Sequence, residues 1–257
     1  MVDAVLPAGG RISGSFAAEA GAEVKAVLRF AGSAILERTI AALRATGRVG
    51  RVVVVGPPGL ADHPAARAAD AVLPEGESGP DNIFRGLHWL RQSSAVQQNE
   101  RVLVITTDLP FLQAEMLVEY LEACPAGADL CVPLVSREEF QARFPGAQNQ
   151  YVKLADGEWT MGCAFLLNQE ALIANKRHIE RVYAARKSQL AMARLLGVRF
   201  TLRFLTTRLT IRDIEQRCLT LLHCTGAAVR NSPPELAFDI DRPQDYRYAL
   251  AHLGDGG

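Results

Sequence analysis

Apolar residues in the first half of the chain follow two rhythms. Short unbroken runs, Ala4-Val5-Leu6, Val52-Val53-Val54-Val55 and Val102-Leu103-Val104-Ile105, have the length and composition of strands buried on both faces. Between them the spacing changes to three and four: Ile35, Leu36, Ile40 and Leu43, then Ile83, Leu87 and Leu90, then Met116, Leu117, Tyr120 and Leu121. Those repeats mark amphipathic helices. Strand and helix in alternation predict an α/β, Rossmann-like, mainly parallel sheet flanked by helices, with right-handed crossovers.

The pattern then changes. Leu130-Cys131-Val132-Pro133-Leu134-Val135 reads as another strand, and Tyr151-Val152-Lys153-Leu154 is expected to pair with Cys163-Ala164-Phe165-Leu166-Leu167 across the turn signal Asp156-Gly157. Residues 168–224 read as a mainly helical segment in which Leu190, Ala193, Arg194 and Gly197 suggest close packing. Strand character returns at Ala227-Ala228-Val229 and Leu236-Ala237-Phe238, and Pro243, at a first-turn position, opens a closing helix to Leu253. With neither repeat nor low-complexity linker, residues 1–257 read as a single domain.

Composition narrows the functional classes. Of 257 residues 49% are hydrophobic and 22% charged, an ordinary globular balance, and 28 Lys and Arg offset 28 Asp and Glu. Zero net charge removes the general attraction for phosphate backbones, so a nucleic-acid partner is not expected. No apolar run reaches the roughly 18–20 residues of a membrane span, and Met1-Val2-Asp3 lacks the basic start of a secretory leader, which points to a cytoplasmic protein without a membrane partner. Five cysteines with no C-x-x-C pair argue against a disulfide framework and a structural zinc site.

Four segments carry candidate chemistry. Leu6-Pro7-Ala8-Gly9-Gly10 follows the first strand, where glycines let backbone amides approach a phosphate; a tight turn alone would use the same residues. Lys25 ends the loop beyond it and places an ammonium within reach of a triphosphate. Asp108 leaves the third long strand at the C-terminal sheet edge, where α/β folds bind ligands; it suits either Mg2+ or the cap of the next helix. Asp239 and Asp241, two apart on the expected last strand, share a side and could reach the same metal, with capping by Asp241 compatible with that role. Asp81 or Asn82 opens a helix after Gly76-Glu77-Ser78-Gly79-Pro80, small residues that leave room for a base or ribose.

In this order the segments resemble the GT-A type nucleotidyltransferases, which include the MobA-like NTP transferases of molybdenum-cofactor synthesis and the enzymes that make sugar nucleotides and isoprenoid precursors. The resemblance rests on residues 6–10, Lys25, residues 81–87, residues 108–112 and residues 239–245, and spans nearly the whole chain apart from the helical middle. It implies a Mg2+-dependent transfer of NMP from an NTP to a phosphorylated small-molecule acceptor, with pyrophosphate released and a homodimer left open. Residues 1–135 would form the nucleotide-binding half and residues 136–257 the acceptor side. On this reading Lys25, Asp108 and Asp241 are catalytic. Leu6, Ala8, Gly9, Gly10, Arg11, Lys25 and Asn82 bind nucleotide, with Arg11 replacing a cation absent from Ser13-Gly14-Ser15-Phe16. Asp108, Asp239 and Asp241 bind metal. Lys153 and Gly162 face the acceptor, while Arg186 and Lys187, on an expected helix, are either further cations for it or solvated surface charges. A GT-A glycosyltransferase, for which Asp239-Ile240-Asp241 imitates the D-x-D motif, and a non-catalytic nucleotide-binding regulator are the alternatives. The absent G-x-G-x-x-G disfavours an oxidoreductase.

Overall fold

The computed structural model describes residues 1–93, 100–185 and 188–253. Its strands are β1 (Val2–Pro7), β2 (Arg29–Phe30), β3 (Ser33–Ala34), β4 (Val49–Gly56), β5 (Ala71–Pro74), β6 (Arg101–Ile105), β7 (Leu130–Ser136), β8 (Val152–Leu154), β9 (Gly157–Met161), β10 (Ala164–Asn168) and β11 (Gly226–Val229). The helices are α1 (Gly14–Ala20), α2 (Ile35–Ala45), α3 (Gly79–Gln92), α4 (Ala114–Ala123), α5 (Arg137–Arg143), α6 (Gln169–Ala174), α7 (Lys176–Ala185), α8 (Gln189–Leu196), α9 (Val198–Leu205), α10 (Ile211–Leu222) and α11 (Pro243–Leu253). Nine strands form one mixed sheet in the order β5-β4-β1-β6-β10-β7-β9-β8, with β11 also on β7. The first four in that order are parallel, and β10 runs antiparallel to β6 and β7.

Alternation along the parallel strands supplies both faces. Leu6, Val52, Val54, Leu103 and Ile105 bury toward α2 and α4, while Val5, Val53, Val55, Val102 and Val104 pack with Phe84, Leu87 and Leu90 of α3. Gly86 lets α3 come this close, since any Cβ there would meet Val5. A third cluster joins Phe111, Phe140, Phe144, Phe238 and Tyr248; the Phe238 ring lies 4.9 Å from Phe111 and 4.8 Å from Phe144. It pins the late, irregular part of the chain against the end of β6.

Two expected elements are replaced. Residues 151–154 do not pair with residues 163–167: Val152–Leu154 forms a tight hairpin with Gly157–Met161, leaving β10 to insert between β6 and β7. The strand partner is whatever follows the turn immediately, and Gly157, at φ 136°, reverses the chain there. Residues 236–238 are not a strand either. Pro234–Ala237 is a 3-10 helix, and the Leu236 amide donates within that turn, to the Pro233 carbonyl at 3.0 Å, instead of to a neighbouring strand. In the helical segment, Leu190 is 61% exposed rather than closely packed.

Tyr120 secures the switch from parallel to antiparallel pairing. Its fully buried hydroxyl donates to the Cys131 carbonyl at 2.8 Å and accepts from the Leu166 amide at 3.3 Å, linking α4 to β7 and β10. Tyr120→Phe leaves both backbone groups without that partner and is expected to lower unfolding free energy by about 1–3 kcal/mol in chemical denaturation. An unchanged midpoint would show that the sheet holds this junction without the hydroxyl.

Candidate active site

Two cavities open side by side, the first at the C-terminal ends of the parallel strands. One, of about 330 Å³, is lined by Gly9, Gly10, Lys25, Glu75, Asn82 and Asp108 among others. The other, of about 580 Å³, is lined by Asn149, Trp159, Thr160, Cys163, Asp239, Asp241 and Arg242 among others. They meet at three carboxylates: one oxygen each from Asp108, Asp239 and Asp241 lies within 4.8 Å of the others.

Backbone ties bring these groups together. Asp108 sits in the irregular turn after β6, and its carbonyl accepts from the Ile240 amide at 3.1 Å, fastening the segment that carries Asp239 and Asp241. The Cys163 amide donates to the Leu236 carbonyl at 2.7 Å, and the Thr106 amide to the Cys163 carbonyl at 3.1 Å. Asp239 and Asp241 thus converge through a clamped irregular segment rather than through the strand alternation that the sequence suggests. Neither expected capping role is seen. Helix α4 begins at Ala114, beyond Asp108, and at the start of α11 it is Asp245 that accepts from the Arg242 amide at 2.9 Å.

Lys25 stands among the carboxylates. Its Nζ lies 3.0 Å from Asp108 Oδ2 and 2.5 Å from Asp241 Oδ1. Burial opposes its charge, but the two carboxylates outweigh that effect and hold the ammonium above lysine's ordinary range. Burial, reinforced by Asp108 and Asp241, pushes Asp239 up to about 7. The other oxygen of Asp108, Oδ1, is buried without a hydrogen-bond partner. Three hard oxygen donors, one of them orphaned, face a single ammonium, a set that fits a divalent cation such as Mg2+.

The glycine side is built around Lys25. The Lys25 amide donates to the Gly10 carbonyl at 2.9 Å, and a Cβ on Gly10 would stand 3.2 Å from Lys25 Cδ. Between them the expected loop winds into α1 and closes at Gly21, in the left-handed region at φ 64°. Asn82, in the first turn of α3, is buried and accepts from the Gly76 amide at 2.7 Å, which shapes the cleft wall. The cap of that helix is Ser78, not Asp81 or Asn82; Asp81 pairs with Arg85 at 3.1 Å.

The MobA-like NTP transferase domain family matches residues 4–202 of this sequence. The chain belongs to that family. A hypothetical transferase from Thermus thermophilus is 31% identical, with a TM-score of 0.82 over 95% of this chain and 99% of its own. Two more distant structures share the fold. One is 2-C-methyl-D-erythritol 4-phosphate cytidylyltransferase, also from Thermus thermophilus, at 22% identity and TM-score 0.56, covering 98% of each chain. The other is 4-diphosphocytidyl-2C-methyl-D-erythritol synthase from Anaerococcus prevotii, at 12% and 0.57, covering 98% of this chain and 97% of its own. No curated protein matches the chain.

For a MobA-like NTP transferase several expected contacts are placed differently. Leu6 and Ala8 are fully buried and do not line the cleft. Arg11 is engaged by Glu75 and by the Gly9 carbonyl, at 2.8 Å, so its guanidinium bridges the cleft rim. Lys153 is exposed and does not line the larger of the two cavities; its neighbour Val152 does, and Lys153 lies across the hairpin from Glu158. Gly162 is buried where a Cβ would collide with Pro133 and the Leu236 carbonyl, so it permits a close approach instead of lining the cavity. Arg186 and Lys187 lie outside the described residues. Glu75 and Arg242, which line the two cavities, went unremarked as ligand contacts in the sequence; Glu75 follows a strand whose end no motif marks, and Arg242 hides inside the aspartate motif.

Because Lys25 already neutralises the carboxylates, it competes with any added cation. Lys25→Met is expected to tighten Mn2+ binding, measured by calorimetry without nucleotide, by on the order of tenfold. Weaker Mn2+ binding in the variant would show that Lys25 positions the carboxylates rather than occupying their ion site.

Proposed function

We propose that this protein transfers NMP from an NTP to a phosphorylated small-molecule acceptor and releases pyrophosphate. What supports this is the meeting of the two cavities at Asp108, Asp239 and Asp241, with Lys25 between the carboxylates and the glycine cleft. In this reading the glycine side, within residues 1–135, takes the NTP, and the cavity formed within residues 136–257 takes the acceptor. The name of one structural neighbour, 2-C-methyl-D-erythritol 4-phosphate cytidylyltransferase, is of the same reaction type.

An oxygen of the acceptor phosphate attacks the α-phosphorus, forming a new P–O bond as the bond to the bridging oxygen of the β-phosphate breaks. The electron pair leaves with pyrophosphate. Since the acceptor phosphate is already ionised, no general base is required, and the protein acts by alignment and charge. The amides of Gly9 and Gly10 face the triphosphate, Asn82 borders the nucleoside, and Lys25 turns from the carboxylates to the phosphates that carry the developing charge. Asp108, Asp239 and Asp241 would hold a divalent ion such as Mg2+, which would supply positive charge to offset that of the phosphates. Arg242, oriented by Asp245 at 3.1 Å and by the Gln148 carbonyl at 3.1 Å, is the cation suited to the acceptor phosphate in place of Lys153.

Pyrophosphate release, screened across NTPs and phosphorylated metabolites, tests the reading directly. Asp108→Asn and Asp241→Asn are each expected to lower turnover by at least about 10²-fold with the melting temperature little changed. Full turnover in excess chelator would refute the metal-dependent mechanism, and nucleotide binding without pyrophosphate release under any pairing would favour the regulator. On the acceptor side, Arg242→Gln should raise the acceptor KM and leave the NTP KM nearly constant, whereas Lys153→Ala should change neither. A selective acceptor defect in the Lys153 variant would reverse that assignment.

A further inference from the structure

Helices α8, α9 and α10 carry an apolar surface that the reaction does not use. Along α9, Val198, Leu202 and Leu205 recur at helical spacing and are 76%, 56% and 70% exposed; Phe204 and, on α8, Leu190 extend the same exposure. Beside them lies a groove of about 870 Å³ lined by Met192, Leu196, Phe200 and Leu209. An exposed apolar area of this continuity marks an interaction surface in a water-soluble fold.

The charges around it are predominantly of one sign. Residues 188–217 hold six arginines against two acids, in a chain whose net charge is zero. Both acids are engaged: Asp213 pairs with Arg203 at 2.6 Å, and Glu215 accepts from the Ala228 amide at 2.8 Å. Arg194, Arg199, Arg208 and Arg212 are exposed and form no side-chain ion pair among the described residues. Apolar residues on one stripe with unpaired arginines at its border are the composition of a helix that lies in the headgroup layer of a membrane.

We propose that the α8–α10 face docks on an anionic lipid surface, with Val198, Leu202 and Leu205 entering the acyl boundary and the arginines on the phosphates. No helix of the described residues is long and apolar enough to cross a membrane, so the contact is one of lying on the bilayer and not spanning it. A second copy of the chain fits this face poorly, because it would set the same unpaired arginines against one another. The docking face adjoins the catalytic region: Leu209 in the groove packs with Leu154 and Trp159, and Trp159 lines the cavity that holds Asp239.

Co-sedimentation of the full-length protein with vesicles tests the proposal. The protein is expected to pellet with equimolar phosphatidylcholine and phosphatidylglycerol, to remain in solution with phosphatidylcholine alone, and to be released by high salt. Leu202→Asp with Leu205→Asp should abolish pelleting, and Arg199→Gln with Arg208→Gln should weaken it by roughly fivefold for each charge removed. Circular dichroism melting checks that each variant folds; should the leucine pair fail to fold, the arginine pair alone decides. The proposal is overturned if wild-type protein ignores the mixed vesicles, if both pairs bind as wild type does, or if ultracentrifugation shows a dimer that the leucine pair dissolves, which would make the face a seam between copies.

Discussion

Three carboxylates held within one coordination radius repel each other, and that electrostatic cost organises the functional end of the molecule. Left bare, Asp108, Asp239 and Asp241 would push the segment carrying the last two away from β6. Lys25 opposes this by lying between two of the acids, and partial protonation of Asp239 near neutral pH relieves the rest. The arrangement is balanced without being satisfied, since one oxygen of Asp108 stays buried with no partner. Three carboxylate oxygens this close, with one buried oxygen unpartnered, are a donor set that fits a divalent cation.

Keeping such a cluster together needs mechanical support from neutral parts of the fold. The rings of Phe111, Phe140, Phe144 and Phe238 interlock beneath it, with centroid separations near 5 Å, and bring residues 238 and 111 side by side. The Ile240 amide closes onto the Asp108 carbonyl, and Gly162 lets Pro133 and the Leu236 carbonyl approach. Apolar packing thus provides the free energy that the like charges consume. The same ties place one cavity on each side of the carboxylates.

Outside this end the molecule divides between a regular core and a less regular helical flank. The core strands are buried on both faces and their side chains alternate without exception through Val52-Val53-Val54-Val55. In α8–α10, by contrast, large apolar side chains remain in water among unpaired arginines. That surface departs from the neutral charge balance of the chain, and it adjoins the cavity that holds Asp239 through Trp159.

The sequence by itself determined the parallel half of the sheet, its helices and the closing helix from Pro243 to Leu253, because burial on both faces and helical spacing are local patterns that any compact fold of this chain must respect. It also singled out Gly9, Gly10, Lys25, Asp108, Asp239 and Asp241 as candidates for chemistry, through residue types in a recognisable order, and the structure brings these six to one end of the sheet. Only the tertiary structure decided how they meet. Residues 236–238 are irregular because the chain from Pro234 winds into a 3-10 turn that takes up the Leu236 amide, and the approach of this segment to Asp108 comes from long-range ring packing and one backbone hydrogen bond, neither visible in local spacing. The partner of β8 depended on where the turn closes, and the orientation of Lys153 followed from that register. Arg11 met Glu75 instead of open cleft because residues 64 apart are brought to one rim by β1 and β5. Periodicity records which side chains leave water; which charges then face one another is fixed by contacts between distant segments, and in this protein those contacts form the site.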